Sequence, residues 1–314
     1  MILRYDVLTV GSATLDTFLD TSMIAKPGDK ILVNKIIKHS GGSATNSAAV
    51  LAKFGLKVKM LTKLGADLEG EFILKEMKNY KVKNICLHHS LKHSDVSTII
   101  NQDKDRTIYV HKGASTHLNI NDYKKSQLNA KWFYIGSLMD NSFNVAKDLT
   151  CYAQEKKVKV LFNPSLYLAS KGKNYLKPVL EKTNLLILNF EEAQALLKTK
   201  SVQPLNLLKQ LQFLGPQSVI ITDGKKKLYA LDNNDYYELI PINVKIVHTA
   251  GAGDAFAATM LGAMIKGYNF VDSLKMAQIN ASSVIQHLGT KNKLLTEQQI
   301  LKMVKKHKIK VNKK

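Results

Sequence analysis

Short apolar, β-branched runs alternate with segments of helical period along most of this chain, and that rhythm leaves few folds open. Residues 5–11 (YDVLTVG) read as a buried strand ending on glycine. Residues 39–55 (HSGGSATNSAAVLAKFG) read as a glycine pair and an alanine-rich helix closed by Gly55. KVKMLTKL (57–64) makes another strand and GADLEGEFILKEMKNYKV (65–82) another helix. The alternation resumes with KWFYIGSL (131–138) as strand, VAKDLTCYAQEKKV (145–158) as helix and KVLFNPS (159–165) as strand. LLILNFEEAQALL (185–197) then runs from strand into helix, SVIITDG (218–224) is a strand, and LYALDNNDYYELIP (228–241) is a hairpin. Such a β-α-β-α order specifies an α/β fold, a parallel sheet covered on both faces. Two stretches break it. Residues 17–37, with PGDKI between β-rich pieces, form a hairpin-like excursion, and residues 94–113 form two strands joined by a polar turn at Gln102–Asp105. Paired, they would make a small β lid over a crevice. With no internal repeat, low-complexity segment or dividing linker, residues 1–314 are expected to form one domain.

The most chemically suggestive stretch is HTAGAGDAF (248–256). It lies between the extended run KIVHTA (245–250) and FAATMLGAMIKGY (256–268), whose small and apolar residues have helical spacing. Strand, glycine turn and helix is the expected order. Gly251 and Gly253 permit a turn whose N–H groups converge, and the helix start adds the positive end of its dipole. Such a place holds an anion, most often phosphate. Asp254 falls in the first helical turn, where a carboxylate is either a plain stabiliser of the helix or a general base beside the phosphate.

Other glycine-loop chemistries do not fit. A dinucleotide fingerprint needs a third glycine or alanine where Phe256 stands, and it belongs near the first strand. Gly65/Gly70 and Gly262/Gly267 have the spacing of a Walker loop, but Glu71 and Tyr268 follow instead of lysine. His89 and His93 stand four apart without the glutamate of a zinc-helix motif, and no G-x-S-x-G turn supports a serine triad.

Composition narrows the setting. Cys86 and Cys151 form no C-x-x-C pair, which suggests a reduced, cytoplasmic chain without a disulfide framework. The N-terminal apolar run is too short and too soon acidic for a signal peptide. No apolar stretch approaches the ~18 residues of a membrane span. The net charge of +21 raises nucleic-acid binding, but the lysines are scattered, with local runs at 225–227 and 302–314, and no zinc-finger or RNP signature accompanies them. No specific nucleic-acid partner is expected; the field favours anionic ligands such as nucleotides. Asp16, soon after the first strand, is a turn residue or a double acceptor for sugar hydroxyls.

Taken together, GGSATNSAAVLAKFG (41–55), NFEEA (189–193), TDGKKK (222–227) and HTAGAGDAFAATML (248–261) resemble, in order and spacing, the signature segments of the ribokinase (PfkB) family of carbohydrate and nucleoside kinases. The resemblance covers essentially the whole chain. It implies a doubly wound, mostly parallel sheet of about nine strands with helices on both faces, plus the small β lid. It implies an ATP- and magnesium-dependent kinase that phosphorylates a hydroxymethyl group of a sugar, or a nucleoside kinase of the same fold. By position, Asp16, Gly42 and Asn46 would bind the acceptor. Asn189, Thr222 and Gly224 would serve the nucleotide, and Glu192 would order magnesium through water. Gly251, Ala252 and Gly253 would form the anion hole and Asp254 would be the base. A homodimer through the lid is also implied.

The sequence departs from the family pattern at several positions. His248 replaces the first aspartate of the C-terminal signature, which puts the family's potassium site in question. Lys227 stands where a second glycine is common, and Lys293 likewise precedes LLT where glycine is common. NASSVIQHLG (280–289) resembles the adenine-side helix only loosely, with Gln278 rather than Asn280 at the usual asparagine position. A different class of function, a catalytically weak sugar- or nucleotide-binding regulator, is disfavoured by the joint retention of Asp254 and Gly251–Gly253.

Overall fold

The computed structural model describes residues 5–23, 25–86, 89–102 and 105–314. In chain order the first strands are β1 (Tyr5–Val10), β2 (Thr14–Thr21), β3 (Val33–Gly41), β4 (Val58–Leu61), β5 (Lys83–Asn84), β6 (Asp95–Gln102) and β7 (Asp105–His111). They are followed by β8 (Ala130–Ile135), β9 (Lys159–Phe162), β10 (Leu185–Asn189), β11 (Ser218–Thr222), β12 (Leu228–Asp232), β13 (Asp235–Leu239) and β14 (Val311–Lys313). The helices begin with α1 (Ser43–Lys53), α2 (Leu68–Asn79), α3 (Phe143–Lys156), α4 (Leu166–Ser170) and α5 (Lys173–Leu180). The remainder are α6 (Phe190–Leu197), α7 (Pro204–Phe213), α8 (Ala252–Ile265), α9 (Phe270–Val284) and α10 (Glu297–His307).

Ten strands form the main sheet in the order β14-β13-β12-β11-β10-β9-β8-β1-β4-β5. From β11 to β5 every neighbouring pair is parallel. The edge from β11 to β14 is antiparallel. Alternate side chains feed two cores, as expected of a sheet buried on both faces. Val7, Met60 and Tyr134 pack with α1, α8 and α9 on one side. Leu8, Val10, Phe133 and Val160 pack with α3, α5, α6 and α7 on the other. Each such fully buried aliphatic or aromatic side chain contributes about 1.5–3 kcal/mol.

The chain starts at β1, steps outward to β4 and β5, then returns to β8 and proceeds the other way. The switch point is therefore between β1 and β8, and a crevice opens there at the carboxyl ends of the strands. The smaller sheet, ordered β3-β2-β6-β7, supplies the lid. Its strands span Thr14–Gly41 and Asp95–His111, starting earlier and ending later than 17–37 in the first case and falling just inside 94–113 in the second. Residues 103 and 104 of the expected polar turn lie outside the described residues.

Two expectations need correction. The sheet has ten strands, not about nine, because Val311 and its neighbours in the lysine-rich tail pair with β13. The run KIVHTA is not a strand: residues 240–250 are irregular, although Val247 N and His248 N both donate to Ile285 O, at 2.8 and 3.1 Å. Its β-branched residues mimic a strand, but Ile246 and Thr249, with Ile242 and Val244 before them, instead wall a cleft. Gly42, at φ 90°, acts as a close-approach glycine: a Cβ there would lie 2.5 Å from Ser12 O.

Candidate active site

Two cavities meet at the start of α8. The first, about 550 Å³, is lined by residues that follow the parallel strands: Ser12 after β1, Ser137 after β8, Asn163 after β9, Asn189 at the end of β10 and Thr222 at the end of β11. Glu192, Gly251, Gly253 and Asp254 complete this wall. The second, about 780 Å³, runs on between Thr222–Lys225, the irregular segment at 241–246 and the face of α9 that carries Gln278 and Ser282. Asn189, Thr222, Gly253 and Phe256 line both. An anionic group held at the α8 N-terminus would thus bridge a strand-end pocket and a long, partly apolar cleft.

Gly251 is the N-cap of α8 at φ 80°, and a Cβ would meet Thr290 O at 2.5 Å. Gly253 has open space around it within 4 Å. The first glycine is required by the fold, whereas the second leaves room for a ligand. Asp254 lies one residue on. Its Oδ2 accepts from Asn46 Nδ2 at 2.9 Å, joining α1 to α8. The Tyr134 hydroxyl, which donates to Asn163 Oδ1 at 3.0 Å, is also in its immediate surroundings. Burial pushes the Asp254 carboxyl up to about 6, against the pull of Asn46, Lys291 and Tyr134, while the charge on Asp16 pushes it further. A carboxylate poised near neutrality is suited to accept a proton from a substrate hydroxyl.

Glu192 rises to about 7, mainly through burial; the Asn189 N–H opposes this, and the charges of Asp254 and Glu191 add to it. Asn189 and Glu192 form a reciprocal capping box on α6, with both hydrogen bonds at 2.8 Å. Helix capping therefore uses Asn189 Oδ1 and Glu192 Oε2, leaving Asn189 Nδ2 and Glu192 Oε1 outside the cap on two residues that line the first cavity. Thr222 and Gly224 sit at the β11 turn, Gly224 at φ 55° on the wall of the longer cleft. Lys227 turns away from that cleft, donating to Glu238 Oε2 at 2.8 Å. Together with Lys314 and Tyr236 it holds the Glu238 carboxyl down at about 2.

Gln278 lines the cleft, whereas Asn280 is buried, donating to Thr259 Oγ1 at 2.8 Å and accepting from Leu295 N at 3.1 Å. The loosely matching helix thus presents glutamine to the cleft and uses its asparagine for packing. His248 is buried, its ring T-shaped to that of Phe18 with centroids 5.5 Å apart, and its Nδ1 accepts from Ala250 N at 3.3 Å. A nitrogen that accepts an N–H carries no proton, so the ring caps the turn without supplying an anionic oxygen. Replacing potassium by a bulky organic cation at constant ionic strength is expected to change turnover little. A large activation that saturates at millimolar potassium would show that backbone carbonyls alone build such a site.

Asp16 lies on the lid strand β2, opposite His39, and only the absence of a side chain at Gly41 admits its carboxylate. Burial raises it, while Ser97, Lys291 and Lys112 pull it down. Asp16, Gly42 and Asn46 are not in the lining of either cavity; Asn46 enters the site through Asp254. Sequence reasoning missed Tyr134, Asn163 and Lys291. Asn163 could have been found from its place after a parallel strand. Nothing local marks the other two.

Compared with known proteins, residues 4–297 match the model of the pfkB family carbohydrate kinases. The chain is 26% identical over 310 residues to a nucleoside kinase of Methanocaldococcus jannaschii, covering 96% of this chain and 98% of that protein. It is 26% identical over 302 residues to a ribokinase of Staphylococcus aureus, covering 90% and 94%. Among solved structures, Arabidopsis thaliana ribokinase complexed with ribose and ATP superposes with a TM-score of 0.82 at 20% identity, covering 96% and 99%. The fold of that structure is the fold described above.

Proposed function

The chain belongs to the pfkB family of carbohydrate kinases, and on that premise we propose that it transfers the γ-phosphoryl group of ATP to a hydroxymethyl group of a sugar. The observation that carries this reading is the meeting of the two cavities at Gly253, next to Asp254 on the wall of the first. In this arrangement the nucleotide lies along the cleft between Thr222–Gly224 and α9, and its phosphates reach the N–H groups of Gly251–Gly253. The acceptor enters the strand-end pocket beneath the lid. Asp254 takes the proton of the acceptor hydroxyl as its oxygen bonds to the γ-phosphorus. The bond from phosphorus to the β,γ-bridging oxygen breaks, and its electron pair leaves with ADP. The α8 N-terminus stabilises the charge on the transferring oxygens, so positioning and electrostatics supply most of the rate.

Glu192 brings a hard carboxylate oxygen to the first cavity, and repulsion from the charge of Asp254 helps raise it. Such a donor fits magnesium shared with phosphates rather than caged by protein alone. When bound, the ion would neutralise phosphate charge, with Glu192 holding it through water. The unclustered Cys86 and Cys151 support a reduced, cytoplasmic setting, and no helix among the described residues is long and apolar enough to cross a membrane. Exposed Ile36, Ile108, Tyr109 and Val110 support a homodimer through the lid.

A nucleoside acceptor is the second reading, favoured by the likeness to the Methanocaldococcus nucleoside kinase. ADP release with ATP and a panel of pentoses, hexoses, their phosphates and nucleosides decides between them: turnover with a free sugar supports the first reading, and turnover confined to nucleosides overturns it. Asp16→Ala is expected to raise the acceptor KM about 10- to 100-fold, since a charged hydrogen bond is worth about 1.5–3 kcal/mol. ATP binding should stay intact. Equal losses for both ligands in calorimetric titrations would assign Asp16 a structural role instead.

A further inference from the structure

Lys291 is 5% exposed, in the segment between α9 and α10 that also abuts Gly251. Its Nζ donates to the Ser40 carbonyl and to Ser40 Oγ at 2.9 Å, to Asn46 Oδ1 at 3.4 Å, and pairs with Glu76 Oε1 at 3.5 Å. The other oxygen of Glu76 accepts from Ser40 N at 2.7 Å. One ammonium thus ties together the end of lid strand β3, helix α2 and helix α1. Burying a cation this deeply is costly even when it is paired, and an apolar side chain would fill the space without that cost.

The contact with Asn46 suggests what the charge does. Asn46 has an oxygen end and an amino end, and its amino end donates to Asp254. An ammonium is donor-only, so it requires the oxygen end to face it. We propose that Lys291 is a positioning residue for Asp254: it fixes the Asn46 amide with its amino group toward the base, and through Ser40 and Glu76 it anchors the lid over the acceptor. This rests on Asp254 being the base. The charged groups around Asp254 are Lys291, Asp16 and Glu192, with Tyr134 and Asn46 as its hydrogen-bonding neighbours. Those around Lys291 are Glu76, Asp16, Asp254 and the half-buried His39.

The test follows the Asp254 carboxyl carbon by NMR across a pH titration of the full chain, alongside ATP-dependent turnover with the best acceptor of the panel above. Lys291→Met is expected to move the Asp254 midpoint up by about one pH unit, because an adjacent cation is lost. It should lower kcat about 10- to 100-fold, with the affinity for ATP unchanged. Glu76→Gln breaks the same ion pair but keeps the cation, so a merely structural pair would make the two variants alike. The expected result is that Glu76→Gln does not move the midpoint upward and that Lys291→Arg restores it toward that of the parent. An unmoved midpoint in Lys291→Met, or an equal upward move in Glu76→Gln, overturns the proposal. Should Lys291→Met alone not fold, the double variant with Glu76→Gln, which removes both charges together, is titrated instead, and an unmoved midpoint there overturns it too. Absence of phosphoryl transfer by the parent chain would count against the proposed function, whereas the titration reads the coupling of Lys291 to Asp254 directly.

Discussion

Asp254→Asn is expected to lower kcat by roughly 10²–10⁴-fold and leave nucleotide affinity nearly unchanged. Asparagine keeps the shape of the first turn of α8 and an oxygen for the Asn46 amide, but it cannot accept the substrate proton. The same substitution is expected to stabilise the fold. The rise of this carboxyl from 3.8 to about 6 corresponds to at most about 3 kcal/mol. The sign follows from linkage: a buried carboxyl with a raised pKa binds its proton more tightly in the folded state, so stability falls as pH rises through that range. At pH 7–8 the parent carries this cost and the asparagine variant does not. Thermal denaturation should therefore show a higher Tm for the variant at pH 7.5 and a difference that shrinks below pH 5. A variant of near-normal turnover would remove Asp254 from the mechanism. In the parent, turnover should rise with pH through about 6, since only the ionised carboxylate accepts a proton.

The two loop glycines should respond to alanine in opposite ways. Gly251→Ala forces a side chain into the left-handed region at φ 80° and drives its Cβ to 2.5 Å from Thr290 O. The backbone conformation alone costs about 1–3 kcal/mol. The backbone clash must then displace either the loop or the segment carrying Lys291. Stability should fall, and turnover should fall by about 100-fold or more, as expected when catalytic groups are misplaced by about 1 Å. At Gly253 a Cβ meets nothing of the protein within 4 Å. Alanine there favours the helix by about 0.5–1 kcal/mol over glycine, so Tm should hold or rise. Turnover should nevertheless drop if the proposed function holds, because the new methyl group then projects toward the place proposed to receive the phosphoryl group. Denaturation and turnover measured on both variants check this; a Gly253→Ala enzyme of full activity would take the loop out of phosphate binding.

What the sequence discloses here follows from where its constraints are local. Gly251 and the first turn of α8 are legible because only glycine tolerates that backbone and because the small, apolar helix begins at once. Parallel strands announce themselves as short apolar runs, and the polar residue after each one faces the crevice by topology, as Asn163 does. Asn189 and Glu192 are picked out only by the family resemblance, and the structure shows the pair capping α6 while also lining the first cavity. Residues 245–250 are misread because β-branched composition is shared by strands and by an irregular cleft wall. The tail strand β14 is hidden because Val311–Lys313 has too few apolar residues to stand out from its lysines. Lys291 and Tyr134 are invisible for another reason: their roles depend on neighbours such as Asn46, 245 residues away from Lys291, that only the folded chain supplies.

Phosphorus NMR of the chain with ATP, magnesium and the acceptor identified by the panel tests the central claim most directly. The account predicts that the γ-phosphorus signal gives way to a phosphomonoester coupled to the two protons of a CH₂–O group, in step with ADP. It also predicts that Asp254→Asn, folded and bound to ATP, forms that signal at least about 100 times more slowly. ATP left intact with every acceptor, inorganic phosphate as the sole product, or an undiminished rate in the Asp254→Asn chain would contradict it.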